Sequence, residues 1–183
     1  MYRASALLAV RNSIQLEDHE RIASVIRSHS IDIIDGRVLI DREDVSGLIR
    51  TTSIGDAASV ISSGTPVRRE MVALQRTFAD KHDTVAEGRD MGTVVFPLAD
   101  LKVYVIADVA VRVTRRWREL MSRGEEADFD AILRSQLTRD RRDRTRSDSP
   151  LRLAPGAVIM DSTLMSVVRQ TEEVLRLFRE RVG

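Results

Sequence analysis

Cysteine is absent from the 183 residues, which rules out a disulfide framework and a thiolate metal site. That absence suits a reducing cytosol without requiring one. Aromatic residues are scarce at 4%, with a single tryptophan, so a stacking platform for single-stranded nucleic acid has little to be built from. Lysine is almost missing: Lys81 and Lys102 stand alone among 29 basic residues. No apolar run is long enough to cross a bilayer, and no signal-peptide pattern opens the sequence as read. Nor is there an excess of charge of either sign. The net charge of +1 gives no global pull toward nucleic acid or membrane.

What is present describes a globular chain. A hydrophobic content of 43% beside 31% charged residues, over this length, suits one domain with a sizeable core. The basic residues other than the two lysines are arginines, whose planar fork grips phosphate or carboxylate at two points. High-GC coding would also enrich arginine, so the excess alone decides nothing. The chain is organised around Val85–Pro97, VAEGRDMGTVVFP, in which Gly88 and Gly92 bracket a charged pair, Arg89-Asp90. Glycines there let a ligand approach the backbone closely. A β-branched and aromatic run, Leu101–Ala107, follows and reads as a buried strand. A charged turn at a strand end is where open α/β sheets bind ligands. The same residues could equally be a surface turn whose Arg89 and Asp90 pair with each other.

The remaining elements follow from pattern. Tyr2–Val10 and Glu17–Ile26 read as helices, and Asp35-Gly36 joins strands Ile31–Ile34 and Arg37–Asp41 as a hairpin. Ser53 is placed as the cap of a helix with Ile54, Ala57, Ala58 and Ile61 inward. Thr65-Pro66 starts another, with Arg68 in a first turn where the dipole disfavours a cation. That arginine is either a solvated surface residue or the neighbour of an anionic or polar ligand. The next helix turns Val109, Val113, Trp117 and Leu120 inward and Arg112, Arg115, Arg116 and Arg118 outward. Asp128 opens a further helix burying Phe129, Ile132, Leu133 and Leu137. Its far end, Arg139–Arg146, sets Arg139, Arg142, Asp143 and Arg146 within one third of the circumference at about 100° per residue. Such a face suits a phosphorylated ligand carrying hydroxyls. It also fits a solvated charge run, a ladder of intrahelical pairs, or a nucleic-acid surface. Ala157–Met160 reads as a last buried strand, and Val167, Thr171, Val174, Leu175 and Phe178 as the stripe of a closing helix. Strands alternating with helices imply an α/β fold with a parallel sheet.

GRDMGTVVFP resembles the strand-to-loop signature of the bacterial cytidylate kinases, which phosphorylate CMP and dCMP. Met1–Ala4, Glu43–Ser46, Arg50-Thr51, Ala57–Ser59, Val67-Arg68, Gln75-Arg76, Arg139-Asp140 with Asp143, Arg146 and Pro150, and Asp161–Thr163 resemble further segments of that family in the same order. The resemblance implies a parallel sheet of the P-loop NTPase type with flanking helices. It places a nucleotide-monophosphate-binding insertion at about residues 14–83 and a helical lid at about 109–150 of a single kinase domain spanning 1–183. It further implies that Ser59, Arg68 and Asp90 read the cytosine edge and that Arg3 and Arg89 hold the acceptor phosphate. Arg139 and Arg146 would close over the phosphates as the catalytic pair, and Asp143 would hold the sugar hydroxyls. ATP and Mg²⁺ are the implied co-substrate and metal. A cytoplasmic monomer acting on small nucleotides, with no nucleic-acid or membrane partner, is expected. Glu87 stands where the family usually has Asp, and Pro66 is shifted relative to the family's proline.

One family feature is not found. No G-x-x-x-x-G-K-[ST] occurs; none of the nine glycines is followed by lysine. Met1 aligns with a methionine inside the family's sequence, so the family's first two strands and its phosphate-binding loop are expected to be missing, through a late-called start or a truncated gene. The chain alone is therefore expected to be inactive and poorly stable. Two other readings are a non-catalytic remnant that binds CMP or a partner through its arginine face, and a nucleic-acid-binding module using Arg112–Arg146.

Overall fold

The computed structural model describes residues 1–182, in two compact units, Met1–Ala86 and Glu87–Gly183. In the first unit, helix α1 (Tyr2–Arg11) is buried at six consecutive positions, Ala4 to Ala9. A short helix that is small or apolar around most of its girth belongs in the middle of a core. Helix α2 (His19–Ser28) buries Ile22, Ala23 and Ile26, helix α3 (Thr52–Ile61) buries Ile54, Ala57, Ala58 and Ile61, and helix α4 (Thr65–Ala79) buries Val67 and Met71. With Leu7, Leu8, Ile31, Ile40 and Val45 these residues, Ala23 apart, form one hydrophobic cluster.

Strands β1 (Ile31–Ile34), β2 (Arg37–Ile40) and β3 (Glu43–Asp44) make an antiparallel sheet in the first unit. The hairpin turn is as expected from Asp35-Gly36: both have positive φ, 50° and 74°, and Ile34 pairs with Arg37. β2 stops one residue short of the sequence reading, because Asp41 takes a φ of 48° and turns its carboxylate onto the Ser30 N–H at 2.8 Å. Bonding to His29 and to that N–H holds the Asp41 carboxyl below its usual range. α2 begins at His19, with Asp18 accepting from the Arg21 N–H at 3.1 Å. The cap of α3 is Thr51 rather than Ser53. Thr51 has the extended backbone a cap requires and its hydroxyl oxygen faces the Ile54 N–H, whereas Ser53 already lies in the first turn.

The second unit holds a parallel pair, β4 (Val103–Ile106) and β5 (Val158–Asp161), in register from Val103 opposite Val158 to Ile106 opposite Asp161. Helices α5 (Val109–Ser122), α6 (Phe129–Thr145) and α7 (Val167–Val182) accompany it. The fold is thus α/β with a small parallel sheet.

The buried strands and stripes expected here come out largely exposed. Val105 and Ile106 of β4 and Val158 and Ile159 of β5 face solvent, as do Phe129 and Leu137 of α6. α7 buries none of its residues. A two-stranded sheet covers only a narrow strip of any helix laid on it, so amphipathic patterning exceeds the surface available to satisfy it. The charged turn at Arg89-Asp90 does not follow a strand: Val85 is fully exposed and the segment leading into Gly88 lies outside any strand. An extended segment without a neighbouring ladder leaves its backbone groups to water.

Native-state hydrogen exchange should separate these regions. Amides of α1 are expected to exchange slowest, at the free energy of global unfolding, and those of α7 to open at far lower cost. Equal protection of the two helices would contradict this account of where the core lies.

Candidate active site

Asp90 opens the site in the second unit. Its carbonyl accepts from the Val94 N–H at 2.9 Å and the Val95 N–H at 3.2 Å, which tightens Met91–Val95 into a single π-helical turn. π turns of this kind recur at functional sites. The turn pins the backbone of Arg89-Asp90 and leaves the Asp90 side chain buried, at 5% exposure. Gly92 admits close packing, since a Cβ there would meet Ala154 at 3.0 Å and Lys102 at 3.1 Å.

The C-terminal end of α6 supplies the rest. Asp143 is the buried residue of this helix, and its carbonyl accepts from the Leu151 N–H at 2.7 Å, folding the chain back after the helix. Arg146 caps α6, and its Nε donates to the Ser149 carbonyl at 2.7 Å. Ser149, a non-glycine residue at φ 50° just before a proline, is the strained point of that return.

These two segments meet. Arg89 Nε lies 3.0 Å from Asp143 Oδ2, Arg139 Nε 4.0 Å from the same oxygen, and Arg146 Nη1 3.9 Å from Asp143 Oδ1. Arg146 Nη2 also lies 3.8 Å from Asp90 Oδ1. Arg146, Asp143 and Asp90 are each close to fully buried, whereas Arg89 and Arg139 are 40% and 51% exposed. Asp143 Oδ2 makes no aligned hydrogen bond, so its attraction to Arg89 is ionic rather than directional. Three guanidiniums thus converge on one carboxylate, with a second carboxylate behind. That leaves an excess of positive charge with two partly solvated arms, an arrangement able to take an anion such as a phosphate.

In the first unit, Arg3 projects from α1 and donates to the carbonyls of Ile49 at 2.7 Å and Thr51 at 3.1 Å. Gly55 makes room for it, since a Cβ there would come within 2.8 Å of the guanidinium. Arg68 is 2% exposed, which removes the solvated reading. Its guanidinium reaches the carbonyl of Ser62, the C-cap of α3, at 3.5 Å. The negative end of α3 compensates for the unfavourable end of α4 on which Arg68 sits. Ser59 belongs to the same junction: its carbonyl accepts from the Ser62 hydroxyl at 3.0 Å. Of the eight residues expected to form the site, the structure therefore brings Arg89, Asp90, Arg139, Asp143 and Arg146 together, and groups Ser59 with Arg68.

Two of the arginines read as outward-facing are not. Arg115 donates to the Ser162 carbonyl at 2.5 Å and the Met165 carbonyl at 3.0 Å, and Arg112 reaches into α6. Both find acceptors at strand and helix ends, which a purely helical wheel does not show. Ser162, 2% exposed and within the Asp161–Thr163 segment, bonds the Ile106 carbonyl through its hydroxyl at 3.0 Å. Neither lysine lies in a glycine-rich turn of the kind that cradles a donor's phosphates. Among the described residues no group of three or more His, Asp or Glu is arranged to hold a metal. Lys102 Nζ is bonded to the Pro97 carbonyl, and Lys81 is exposed just after α4. No described helix is long and apolar enough to cross a membrane.

Asp143→Asn should be strongly destabilising, by about 3 kcal/mol, because it removes a buried carboxylate that faces the buried Arg146. Arg139→Gln, on a half-exposed partner, should cost under about 1 kcal/mol. Denaturant midpoints measure both, and equal effects would show that the cluster is not buried as described.

Comparison with known proteins gives a consistent picture. The family model described as cytidylate kinase matches residues 1–180. A cytidylate kinase of Paraburkholderia phymatum is 41% identical over 182 residues, covering all of this chain and 80% of the relative. One of Burkholderia cenocepacia is 40% identical over 179 residues, 98% of this chain and 78% of the relative. One of Solibacter usitatus is 40% identical over 187 residues, all of this chain and 79% of the relative.

Proposed function

The chain belongs to the cytidylate kinase family, a group of nucleoside monophosphate kinases, and we propose that it carries the acceptor and lid side of a site that phosphorylates CMP or dCMP. The observation that carries this reading is the convergence of Arg89, Arg139 and Arg146 on Asp143. Phosphoryl transfer asks a protein mainly to align two polyanions and to neutralise charge on the transferred group. Arg3 and Arg89 hold the acceptor phosphate. Arg139 and Arg146 close over it, replacing an internal carboxylate by a phosphate and keeping out water that would otherwise compete as acceptor. Asp143, released from its arginines, receives the sugar hydroxyls. Ser59, Arg68 and Asp90 bond the edge of cytosine, and a site built to bond one base edge rejects bases that leave those groups unpaired.

The donor, ATP with Mg²⁺ in this family, supplies the phosphoryl group, and no segment of these 183 residues is suited to its phosphates. We therefore expect the chain to bind CMP without turning it over. We assign it to the cytoplasm, acting as a monomer on small nucleotides. A nucleic-acid surface along α5 and α6 is disfavoured, since Arg112, Arg115 and Arg116 are already engaged within the protein.

Calorimetry on the 183-residue chain should show CMP binding in preference to AMP and GMP, with Asp90→Ala losing about 1–3 kcal/mol of binding free energy. Equal affinity for all three nucleotides would remove the cytosine assignment. In a coupled ADP-release assay with CMP, ATP and Mg²⁺, turnover is expected only from a version extended by a G-x-x-x-x-G-K-[ST] unit. Robust turnover by the short chain would refute the expectation of inactivity, and none from either version, with CMP still bound, would favour a non-catalytic CMP-binding role.

A further inference from the structure

α6 presents a difficulty that its function makes acute. It carries Arg139, Asp143 and Arg146, yet Asp143 is its buried residue and its apolar positions are partly or wholly exposed. Hydrophobic packing, the usual means of fixing a helix about its own axis, is therefore weak here. A polar brace stands in its place. Arg112, in the first turn of α5, donates from Nη2 to Asp140 Oδ2 at 2.7 Å and from Nη1 to Asp140 Oδ1 at 3.3 Å. Nη1 also faces Gln136 Oε1 at 3.4 Å, and Gln136 Nε2 donates back to the Arg112 carbonyl at 3.3 Å. The remaining donor, Nε, bonds the Ala107 carbonyl just past β4 at 3.2 Å.

This one guanidinium therefore ties two successive turns of α6 to the end of the parallel sheet. Asp140 sits about 100° around the helix from Arg139 and about 60° from Asp143. Holding Asp140 in a two-point fork thus sets the direction in which Arg139, Asp143 and Arg146 point. Asp140 is only 15% exposed at its side chain, so water competes little for the fork.

We propose that Arg112 and Asp140 are positioning residues that fix the rotation of α6 and thereby aim its arginine face at the acceptor phosphate. This rests on the acceptor-site reading above. The pair touches no substrate; it acts through Arg139, Asp143 and Arg146.

The test uses Arg112→Gln, Asp140→Asn and the double variant of the 183-residue chain, with CMP affinity by calorimetry and amide exchange along α6. Each single variant should lose about tenfold in CMP affinity, the scale of a small misplacement of binding groups, and the double variant no more than either single. Exchange should rise at residues 138–146 and stay unchanged along α5. Arg112→Lys, which keeps charge and stem but loses the fork, guards against a variant that does not fold and should show the same pattern in weaker form. Unchanged affinity, or losses that add in the double variant, would overturn the proposal. Should the unmodified chain itself show no preference for CMP, the acceptor reading fails. The brace is then judged by exchange alone: a rise confined to residues 138–146 upholds it, and no rise overturns it.

Discussion

A buried carboxylate among three guanidiniums is the constraint on which the second unit depends. Asp143 could not be buried at the end of α6 without cations to meet it, and Arg146 could not be buried without Asp143 and Asp90. Each buried charge makes the others tolerable. The π turn after Asp90 and the return of the chain at Ser149 are the local structures that let the two segments meet. The same interaction explains why such a cluster can serve a ligand. An arginine already desolvated and held by a carboxylate loses less on exchanging that partner for a phosphate than one drawn from bulk water.

The two units are stabilised in different ways. The first rests on a hydrophobic cluster around α1, in which nearly every position is apolar or small. The second has few buried apolar residues and relies on polar ties: Arg112 to Asp140, Arg115 to the turn after β5, and the arginine cluster on Asp143. Polar ties are directional but contribute little net stability each. A unit held this way can keep a defined site and still open readily.

Local rules were legible where local chemistry decides. Asp35-Gly36 specified its turn, and the stripe Ile54, Ala57, Ala58, Ile61 specified the inner face of α3. That Arg139, Asp143 and Arg146 share a face followed from helical spacing, and that this face lies near Arg89 followed from the family resemblance. Long-range matters were not legible. Helix periodicity on α6 and α7 indicates which side wants burial but not whether a neighbour exists to bury it, so Phe129, Leu137, Leu175 and Phe178 were misplaced. Arg112 and Arg115 were read as solvent-facing because a wheel cannot show that carbonyls at strand ends lie within reach. Thr51 displaced Ser53 as a cap because the extended residue before a helix is set by how the chain arrives, not by composition.

The central claim is that one arginine cluster changes its partner from Asp143 to a nucleotide phosphate. A nitrogen-15 NMR titration of the guanidinium Nε–H groups tests it directly. Addition of CMP should shift the resonances of Arg89, Arg139 and Arg146 together and saturably, with AMP at the same concentration leaving them in place. Resonances of these three arginines that stay unmoved while CMP binds elsewhere on the chain would contradict the account.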